Sequence, residues 1–316
     1  MDVLTEVDDE RIAGLVERGE FFWLDLHAPS EEDFSRLGEM LGLHPMAMED
    51  TREFGQRPKV DVYEHHVLVV FYTGRVASSD ARPVAEPLEV HVYVSGNFVV
   101  TVRQLDCDLL DRLHETVKAQ ETEVEEHLVY RIFDTLTDAW YPVIAAIETQ
   151  VDQLEGEVFE RARKEQLSRI YRLRQEVREH HRLLGEQRDR FLPAADAIRG
   201  LADLSRGAKE YLRDVGDHLA QVTGELYRQT DDLNALTSTY FNANTNKLNL
   251  TVTRLTVVAT FFLIWTLVTS FFGQNFRWLT DHVESFGSFL ILGVGGLVVP
   301  TLFAAVYFWR RRREWL

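Results

Sequence analysis

Short apolar runs in the first third of the chain have the length and composition of β-strands. One run alternates as a strand, and four further runs rich in Val, Phe and Tyr predict strands, because β-branched and aromatic residues favour extended structure. They occupy 21–26, 59–63, 66–72, 88–94 and 98–102. The tripeptide 95–97, Ser-Gly-Asn, predicts a hairpin turn. Ser30 with Asp33 resembles a capping box, which predicts a helix through about Leu41. We therefore expect residues 1–105 to form an α+β domain, a mixed sheet with helices.

From about residue 106 the apolar positions change period and predict long helices. Nine apolar residues recur at intervals of three and four, which is typical of an amphipathic helix. They are Leu128, Ile132, Leu136, Trp140, Val143, Ile147, Val151, Leu154 and Val158. We expect Pro142 to kink this helix. A second long helix is expected from about Lys164 to Phe191, ending before Pro193. Residues 106–207 are thus predicted to be long helices.

The segment 208–272 contains no proline and predicts a single helix of roughly 100 Å at 1.5 Å per residue. Its first part, 208–254, carries charges and is expected to form a stalk. The run 255–276 is uncharged, and a second uncharged run, 286–309, follows a loop at 277–285. About 20 apolar residues cross the roughly 30 Å of membrane hydrocarbon. The sequence therefore predicts two transmembrane helices.

The flanking charges predict the orientation of these helices. The tail 310–316 begins with four arginines, and basic residues next to a span favour the cytoplasmic side. Two spans then place the N-terminal domain in the cytoplasm and 277–285 outside, as in a multi-pass protein of the plasma (inner) membrane. The acidic N-terminus predicts no cleaved signal. The single cysteine, Cys107, fits a reducing cytoplasm.

The charge balance narrows the class of partner. Lys and Arg number 34 and Asp and Glu number 51, giving a net charge of −17. A basic footprint for nucleic acid is missing. The negative charge either keeps the large domain soluble or concentrates cations near its surface, and both explanations stay open. Because the sequence contains no phosphate-binding loop or nucleophile elbow, we expect a protein that is not an enzyme.

A polar stripe follows the last part of the longest predicted helix. Between Leu233 and Asn275 the only charged residues are Lys247 and Arg254. At spacings of four and three the stripe comprises Ser238, Asn242, Thr245, Asn249, Val252, Thr256, Ala259, Leu263, Thr266, Ser270 and Gly273. Small and hydroxyl residues of this kind mediate helix packing in bilayers. Alternatively, several copies around an axis turn the stripe into a pore lining. Asn249 and Asn275 favour the pore, because an unpartnered amide in hydrocarbon is costly.

The uncharged run ends in 272–276, Phe-Gly-Gln-Asn-Phe. A glycine and two adjacent side-chain amides at the end of a membrane helix suggest a site that binds a hydrated ion selectively. This pentapeptide resembles the Tyr-Gly-Met-Asn-Phe signature of the CorA family of magnesium and cobalt transport proteins. Further matches are LHPMAMED at 43–50 with QRPKV at 56–60, YLRDV at 211–215 with Asp217-His218, residues 249–260, and the basic tail ending in Trp315-Leu316. The resemblance covers nearly the whole chain.

The resemblance implies a homopentameric funnel in the lipid bilayer, with the first membrane helix around one central pore and the second packed outside. Gly273, Gln274 and Asn275 then form a selectivity mouth, where five Asn275 amide oxygens bind the waters of a hydrated cation. This suits Mg²⁺, which gives up its water reluctantly. The implied pore lining is Asn242, Thr245, Asn249, Val252, Leu255, Thr256, Ala259, Leu263, Thr266 and Ser270. The apolar members narrow the pore, and apolar constrictions gate by dewetting.

The resemblance also implies a second cation site in the cytoplasm. In the family, acidic residues matching Asp50 and Asp214 bind Mg²⁺ between neighbouring subunits and hold the pore closed. Glu49 and Asp217 lie beside them in this sequence, so the expected regulatory site is Glu49, Asp50, Asp214 and Asp217. Mg²⁺ is then both transported and regulatory. The expected function is uptake of Mg²⁺, with Co²⁺ and Ni²⁺ as further substrates, driven by membrane potential.

Two departures from the family pattern keep other functions open. Gln274 stands where the signature has methionine, and Ile264 stands where many members have proline. Zinc-transporting relatives of the ZntB type also vary at the methionine position, so a Zn²⁺ transporter, including a proton-coupled one, is an alternative. A non-conducting membrane sensor of divalent cations is another.

Overall fold

The computed structural model describes residues 2–78, 83–119, 125–201, 208–274, 276–282 and 285–315. The chain divides into two compact units, Met1–Thr237 and Ser238–Leu316. The first contains a six-stranded sheet, and the second contains the most apolar part of the chain.

One mixed sheet organises the first unit. Its strands are β1 Asp2–Leu4, β2 Phe22–His27, β3 Lys59–Val62, β4 Val67–Ser78, β5 Pro83–Val94 and β6 Phe98–Arg103. They are ordered β1-β2-β6-β5-β4-β3, with β1, β2 and β6 parallel and the other pairs antiparallel. The five predicted strands and the hairpin turn are confirmed, since the Ser95 amide donates to the Phe98 carbonyl at 2.9 Å. The short β1 was not predicted, because three residues carry no periodicity.

Helices account for most of the remaining described residues. They are α1 Asp9–Arg18, α2 Glu31–Met40, α3 Pro45–Arg52, α4 Asp108–Ala119, α5 Glu125–Asp138, α6 Trp140–Glu160, α7 Lys164–Arg199, α8 Ala208–Phe272, α9 Arg277–His282, α10 Phe286–Ser288 and α11 Gly295–Trp315, with a π-helical turn at Phe289–Val294 between the last two. The predicted capping box is confirmed, because Ser30 and Asp33 exchange backbone and side-chain hydrogen bonds at the start of α2. The single helix predicted over 208–272 is also confirmed.

Both faces of the sheet are covered. A core that includes Phe22, Leu24 and Leu68 packs with residues of α1, α2 and α3. Phe71 from β4 contacts Phe133 of α5 and Phe191 of α7, with ring centroids 5.3 and 6.0 Å apart. Burial of such apolar surface is the main favourable term in folding. The predicted apolar stripe of α5 and α6 is buried at all nine positions.

Two helix boundaries depend on proline in different ways. The predicted bend near Pro142 is a break at Ala139 between α5 and α6, since proline cannot donate to the carbonyl four residues earlier. The predicted end of the second long helix before Pro193 is wrong, because α7 continues to Arg199 with Pro193 inside it. Ala194, Ala195 and Ile198 are buried, and their packing continues the apolar face past the proline.

A glycine allows the close approach between the sheet and the α5–α6 junction. A Cβ on Gly74 would lie 2.8 Å from Val143 Cγ2, 2.9 Å from the Ala139 carbonyl oxygen and 3.0 Å from Trp140 Cδ2. Tyr72 lies two residues before Gly74 on β4. It is beyond Val70, the last β4 residue that pairs with β3. Gln187 of α7 takes the place of a strand there, accepting from the Tyr72 amide at 2.5 Å and donating to its carbonyl at 3.0 Å. These contacts fasten α6 and α7 to the sheet.

The second unit contains the C-terminal part of α8 and the helical segment 286–315. The stretches Tyr211–Phe272 and Phe286–Arg311 are long and apolar enough to cross a membrane. Phe261 and Phe308 contact each other with ring centroids 6.3 Å apart. The short helix α9 lies in the segment that the sequence predicts as a loop.

Candidate ion pathway and cytoplasmic cation site

One face of α8 contacts the second membrane helix. Trp265 Nε1 donates to Thr301 Oγ1 at 3.0 Å, Phe261 packs on Phe308, and Phe272 lies within 3.9 Å of a Cβ built on Gly296. Trp265, Phe261 and Phe272 recur at intervals of four and seven, so they share one side of a helix with 3.6 residues per turn. The rotational position of α8 against α11 is therefore defined within the unit.

The predicted pore-lining residues lie on the other side of α8. Along 251–272 the positions that the unit partly covers are 253, 257, 260, 261, 264, 268 and 272. None of them belongs to the predicted stripe. All ten predicted pore-lining residues, from Asn242 to Ser270, are exposed. The most exposed of the apolar members are Leu255 and Leu263, at 69% and 70%. The stripe thus lies within the part of α8 that α11 leaves uncovered.

The polar members of this face keep acceptor capacity for water or ions. The Thr256 hydroxyl donates to the Val252 carbonyl at 2.9 Å, a local bond that serine and threonine commonly make in helices. That bond uses the hydroxyl proton, and the oxygen of this exposed residue keeps its capacity to accept. Such oxygens suit a hydrated cation, whereas the intervening Val252 and Leu263 offer no ligand. The face therefore alternates acceptor positions with apolar ones.

The end of α8 carries the candidate mouth. The Gly273 amide donates to the Thr269 carbonyl at 2.9 Å and the Gln274 amide to the Phe271 carbonyl at 3.3 Å. Both Gly273 and Gln274 are exposed. Asn275, the central residue of the predicted mouth, lies outside the described residues. In the described part of the mouth, the backbone amides of Gly273 and Gln274 are thus used in hydrogen bonds within the helix end. The exposed side-chain amide of Gln274 is the polar group that remains for an ion.

Asp214, predicted to bind a regulatory cation, lies on the N-terminal part of α8 beside α5. Its Oδ2 accepts a hydrogen bond from the Tyr130 hydroxyl at 3.1 Å and lies 3.8 Å from His218 Nε2. His218 Nδ1 is 2.8 Å from Asp134 Oδ1. Asp217 is exposed. The fold therefore joins Asp214 to residues that the sequence analysis did not select.

Two of these residues, together with Asp138, form a candidate metal-ligand group. Asp134, Asp138 and His218 each offer a ligand atom, and these atoms lie within 4.8 Å of one another. Asp134 and Asp138 are one helical turn apart on α5, and His218 reaches them from α8. Carboxylate oxygens suit Mg²⁺, and an imidazole nitrogen adds affinity for Co²⁺, Ni²⁺ and Zn²⁺. The i, i+4 aspartates were the sequence signal for this group, but only the fold supplies the histidine.

Electrostatics in this group favour a bound positive charge. Burial and the nearby Asp134 raise the pKa of the Asp138 carboxyl above its ordinary value. Burial lowers the pKa of His218, but the hydrogen bond and charge of Asp134, followed by Asp214 and Asp138, raise it overall. Carboxylates held this close repel until a cation neutralises them.

The other predicted regulatory residues lie on α3. Asp50 Oδ2 is 2.6 Å from Lys59 Nζ, and its Oδ1 accepts from Gln56 Nε2 at 3.3 Å. Glu49 is exposed. The described contacts of Asp50 and those of Asp214 involve different residues, so none of these contacts joins the two halves of the predicted site within one chain.

Known proteins of one family match almost the whole chain. The family model described as CorA-like Mg²⁺ transporter protein matches residues 18–313. The cobalt/magnesium transport protein CorA of Thermotoga maritima is 26% identical over 305 residues, covering 93% of this chain and 83% of the relative. The protein of that name from Methanocaldococcus jannaschii is 20% identical over 294 residues, covering 92% and 90%.

Solved structures agree with this match at the level of the fold. The complete CorA magnesium transporter of Methanocaldococcus jannaschii superposes with a TM-score of 0.75 at 19% identity, covering 93% of this chain and 91% of that one. The full-length CmaX protein gives a TM-score of 0.68 at 23% identity, covering 92% and 88%. The predicted α+β domain with a long helix and apolar C-terminal helices is therefore confirmed.

Proposed function

This chain belongs to the CorA-like Mg²⁺ transporter family, and on that premise we propose that it is a homopentameric channel for Mg²⁺ uptake that also admits Co²⁺ and Ni²⁺. The proposal rests above all on one observation: the polar stripe of α8 lies within the part of that helix that α11 leaves uncovered. Five such faces around an axis make a continuous wall of oxygen acceptors and apolar constrictions. Contact with lipid would be energetically costly for the polar side chain of Asn249.

In this proposal Gly273, Gln274 and Asn275 form the outer entrance. Side-chain amide oxygens bind the waters of a hydrated ion, so the entrance does not require Mg²⁺ to lose its first shell. Val252, Leu255 and Leu263 are the constrictions that close the pore by excluding water. The two apolar helical segments span the plasma membrane. The N-terminal unit and the basic C-terminal tail lie on its cytoplasmic side, following the positive-inside rule.

The membrane potential is a sufficient driving force for uptake. One charge gains roughly 2.3 kcal/mol per 100 mV, so a divalent ion gains about 4.6 kcal/mol. A passive pathway therefore accumulates Mg²⁺ inside the cell, and it needs a means of closing. We assign closure to cytoplasmic cation binding between subunits at Glu49, Asp50, Asp214 and Asp217, assisted by Asp134, Asp138 and His218 beside Asp214. Loss of the ion leaves the carboxylates to repel one another, which loosens the assembly and biases it towards the open state.

Ion flux into proteoliposomes tests the proposal. With an inside-negative potential and no pH gradient, we expect entry of Mg²⁺ and Co²⁺, and inhibition when Mg²⁺ is loaded inside. Uptake of Zn²⁺ without Mg²⁺, or flux that requires a pH gradient, would identify the zinc transporter instead. Absence of flux for all three metals, with the protein folded and inserted, would point to a sensor.

A further inference from the structure

Two buried polar side chains of β5 have no part in the pathway or in the cation site. Glu89 is 8% exposed and His91 is fully buried. Oε1 of Glu89 lies 2.7 Å from Nε2 of His91. Burying a carboxylate is costly unless it is paired and hydrogen-bonded, so the contacts of this pair indicate what it stabilises.

Glu89 holds the loop that follows α3. Its carboxylate accepts from the backbone amides of Gly55 at 2.5 Å and Gln56 at 3.3 Å. The Tyr72 hydroxyl lies 3.0 Å from Glu89 Oε2 and 2.5 Å from the Gln56 carbonyl oxygen. Gly55 has φ +96°, a conformation that glycine adopts most easily. Burial raises the pKa of Glu89, but His91 and the Gly55 amide lower it overall, so the carboxylate is the acceptor throughout.

The same loop holds Asp50. Gln56 donates from its side chain to Asp50 Oδ1, and Lys59 pairs with Oδ2 at 2.6 Å. From the other side, His91 Nδ1 lies 3.0 Å from Oγ1 of Thr51, the residue after Asp50. Thr51, next to Asp50, and Gln56, which donates to the Asp50 carboxylate, thus both contact the Glu89–His91 pair.

We propose that Glu89 and His91 are positioning residues for Asp50, which fix its carboxylate for the cytoplasmic cation. The proposal rests on the regulatory role proposed above for Asp50. Glu89 and His91 do not touch the ion; they act through Gly55, Gln56 and Thr51. Residues that support metal ligands in this way typically change metal affinity by about 10- to 100-fold when they are replaced.

The test is a comparison of flux inhibition and local protection in the full-length protein. Glu89→Gln keeps the side-chain volume but replaces one acceptor oxygen by an NH₂ group, which faces an amide donor. We expect the internal Mg²⁺ concentration for half-closure to rise about tenfold, with unchanged flux at zero internal Mg²⁺. Amide hydrogen exchange over 53–59 should accelerate. Tyr72→Phe, which retains the Glu89–His91 contact, should shift both readouts in the same direction and keeps the test available if Glu89→Gln does not fold.

Glu86→Gln is the matched control, because Glu86 is on the same strand and pairs with Arg75. It should leave both readouts unchanged. Asp50→Asn separates the two proposals. If Asp50→Asn raises the Mg²⁺ requirement and Glu89→Gln and Tyr72→Phe do not, the positioning role is wrong. If Asp50→Asn itself has no effect, the regulatory role of Asp50 fails and the positioning role with it.

Discussion

The two units of this chain differ in how far a single chain buries their large apolar side chains. In Met1–Thr237 large side chains such as Trp23, Trp140 and Tyr93 are fully buried. In Ser238–Leu316 comparable side chains are exposed, including Phe303 at 75% and Trp309 at 74%. A large apolar surface left uncovered marks a place for lipid or other subunits. The first unit buries its apolar side chains through contacts within one chain. The second unit needs lipid or other subunits to cover its apolar side chains.

The polar groups of the two units differ in the same way. In the first unit Asp25 is buried and paired with Arg103 at 3.0 Å, and Glu89 has donors on several sides. In the second, Asn249 and Ser270 are exposed on the stripe. Groups of the first kind fix a conformation, while groups of the second kind are available to a mobile ligand. This difference supports the proposal that regulation belongs to the first unit and selection to the second.

The largest expected effect comes from the entrance. We predict that Asn275→Ala abolishes selective Mg²⁺ flux, because the proposed ring of amide oxygens for the hydrated ion is lost, while the oligomer remains intact by size-exclusion chromatography. Gln274→Met restores the family signature residue and is expected to conduct Mg²⁺. Wild-type flux in Asn275→Ala would place selection elsewhere and break the division between the units.

A change in the first unit should alter closure without altering selection. We predict that Asp214→Lys leaves the channel open at high internal Mg²⁺, since it removes a proposed ligand and sets a positive charge beside His218 and Asp134, so that the divalent ion that bridges the neighbouring carboxylates no longer binds. The measurement is Mg²⁺ flux against internal Mg²⁺ concentration, alongside the ratio of Mg²⁺ to Co²⁺ entry. Normal closure would show that regulation does not use this group.

A side chain at position 74 should disturb the internal packing of the first unit. Gly74→Val introduces a Cβ within 3.0 Å of Val143, Ala139 and Trp140, and such overpacking costs about 1–3 kcal/mol or more. We expect a lower unfolding temperature for the solubilised protein. Gly156→Ala in α6, where a Cβ meets nothing within 4 Å, should be neutral or stabilising by up to about 1 kcal/mol. Equal melting of both variants would contradict the close approach at β4.

A smaller effect is expected from acid. Burial, then the charges of His44 and His65, lower the pKa of His66 from 6.5 to about 4. The folded state therefore binds fewer protons than the unfolded state between these values, so stability is full above pH 6.5 and falls as the pH approaches 4. One such group contributes at most about 1.4 kcal/mol per pH unit. His66→Phe should flatten the melting profile between pH 6.5 and 4.5, and His65→Ala should not. An unchanged profile in His66→Phe would show that the pKa of His66 is the same in the folded and the unfolded chain.

The sequence predicted the elements whose signals are local. The strands, the capping box and the apolar stripe from Leu128 to Val158 follow from residue type and period, and all agree with the structure. The helix end at Pro193 was wrong because buried contacts of α7 outweigh the proline, which no local rule measures. The group of Asp134, Asp138 and His218 was missed because His218 is 84 residues away from Asp134. Its assembly requires the packing of α5 on α8.

The stripe shows the opposite case. Its spacing was visible in the sequence, but spacing alone left open whether it packed against another helix or faced a pore. The Trp265–Thr301 contact and the partly covered positions on the other side of α8 favour the pore. The regulatory pairing of Asp50 with Asp214 stays a prediction, because it depends on a second copy of the chain.

Access of water to α8 in conducting protein is the most direct test of the pore. Cys107 is the single cysteine and is buried, so a Cys107→Ser background allows single cysteines at Val252, Ala259, Thr266 and Ser270 and, as controls, at the partly covered 257, 261 and 268. We predict that a charged thiol reagent modifies the first set and blocks Mg²⁺ flux, and leaves the controls unmodified. Reaction confined to the control positions, or to none, would contradict a pore lined by this face.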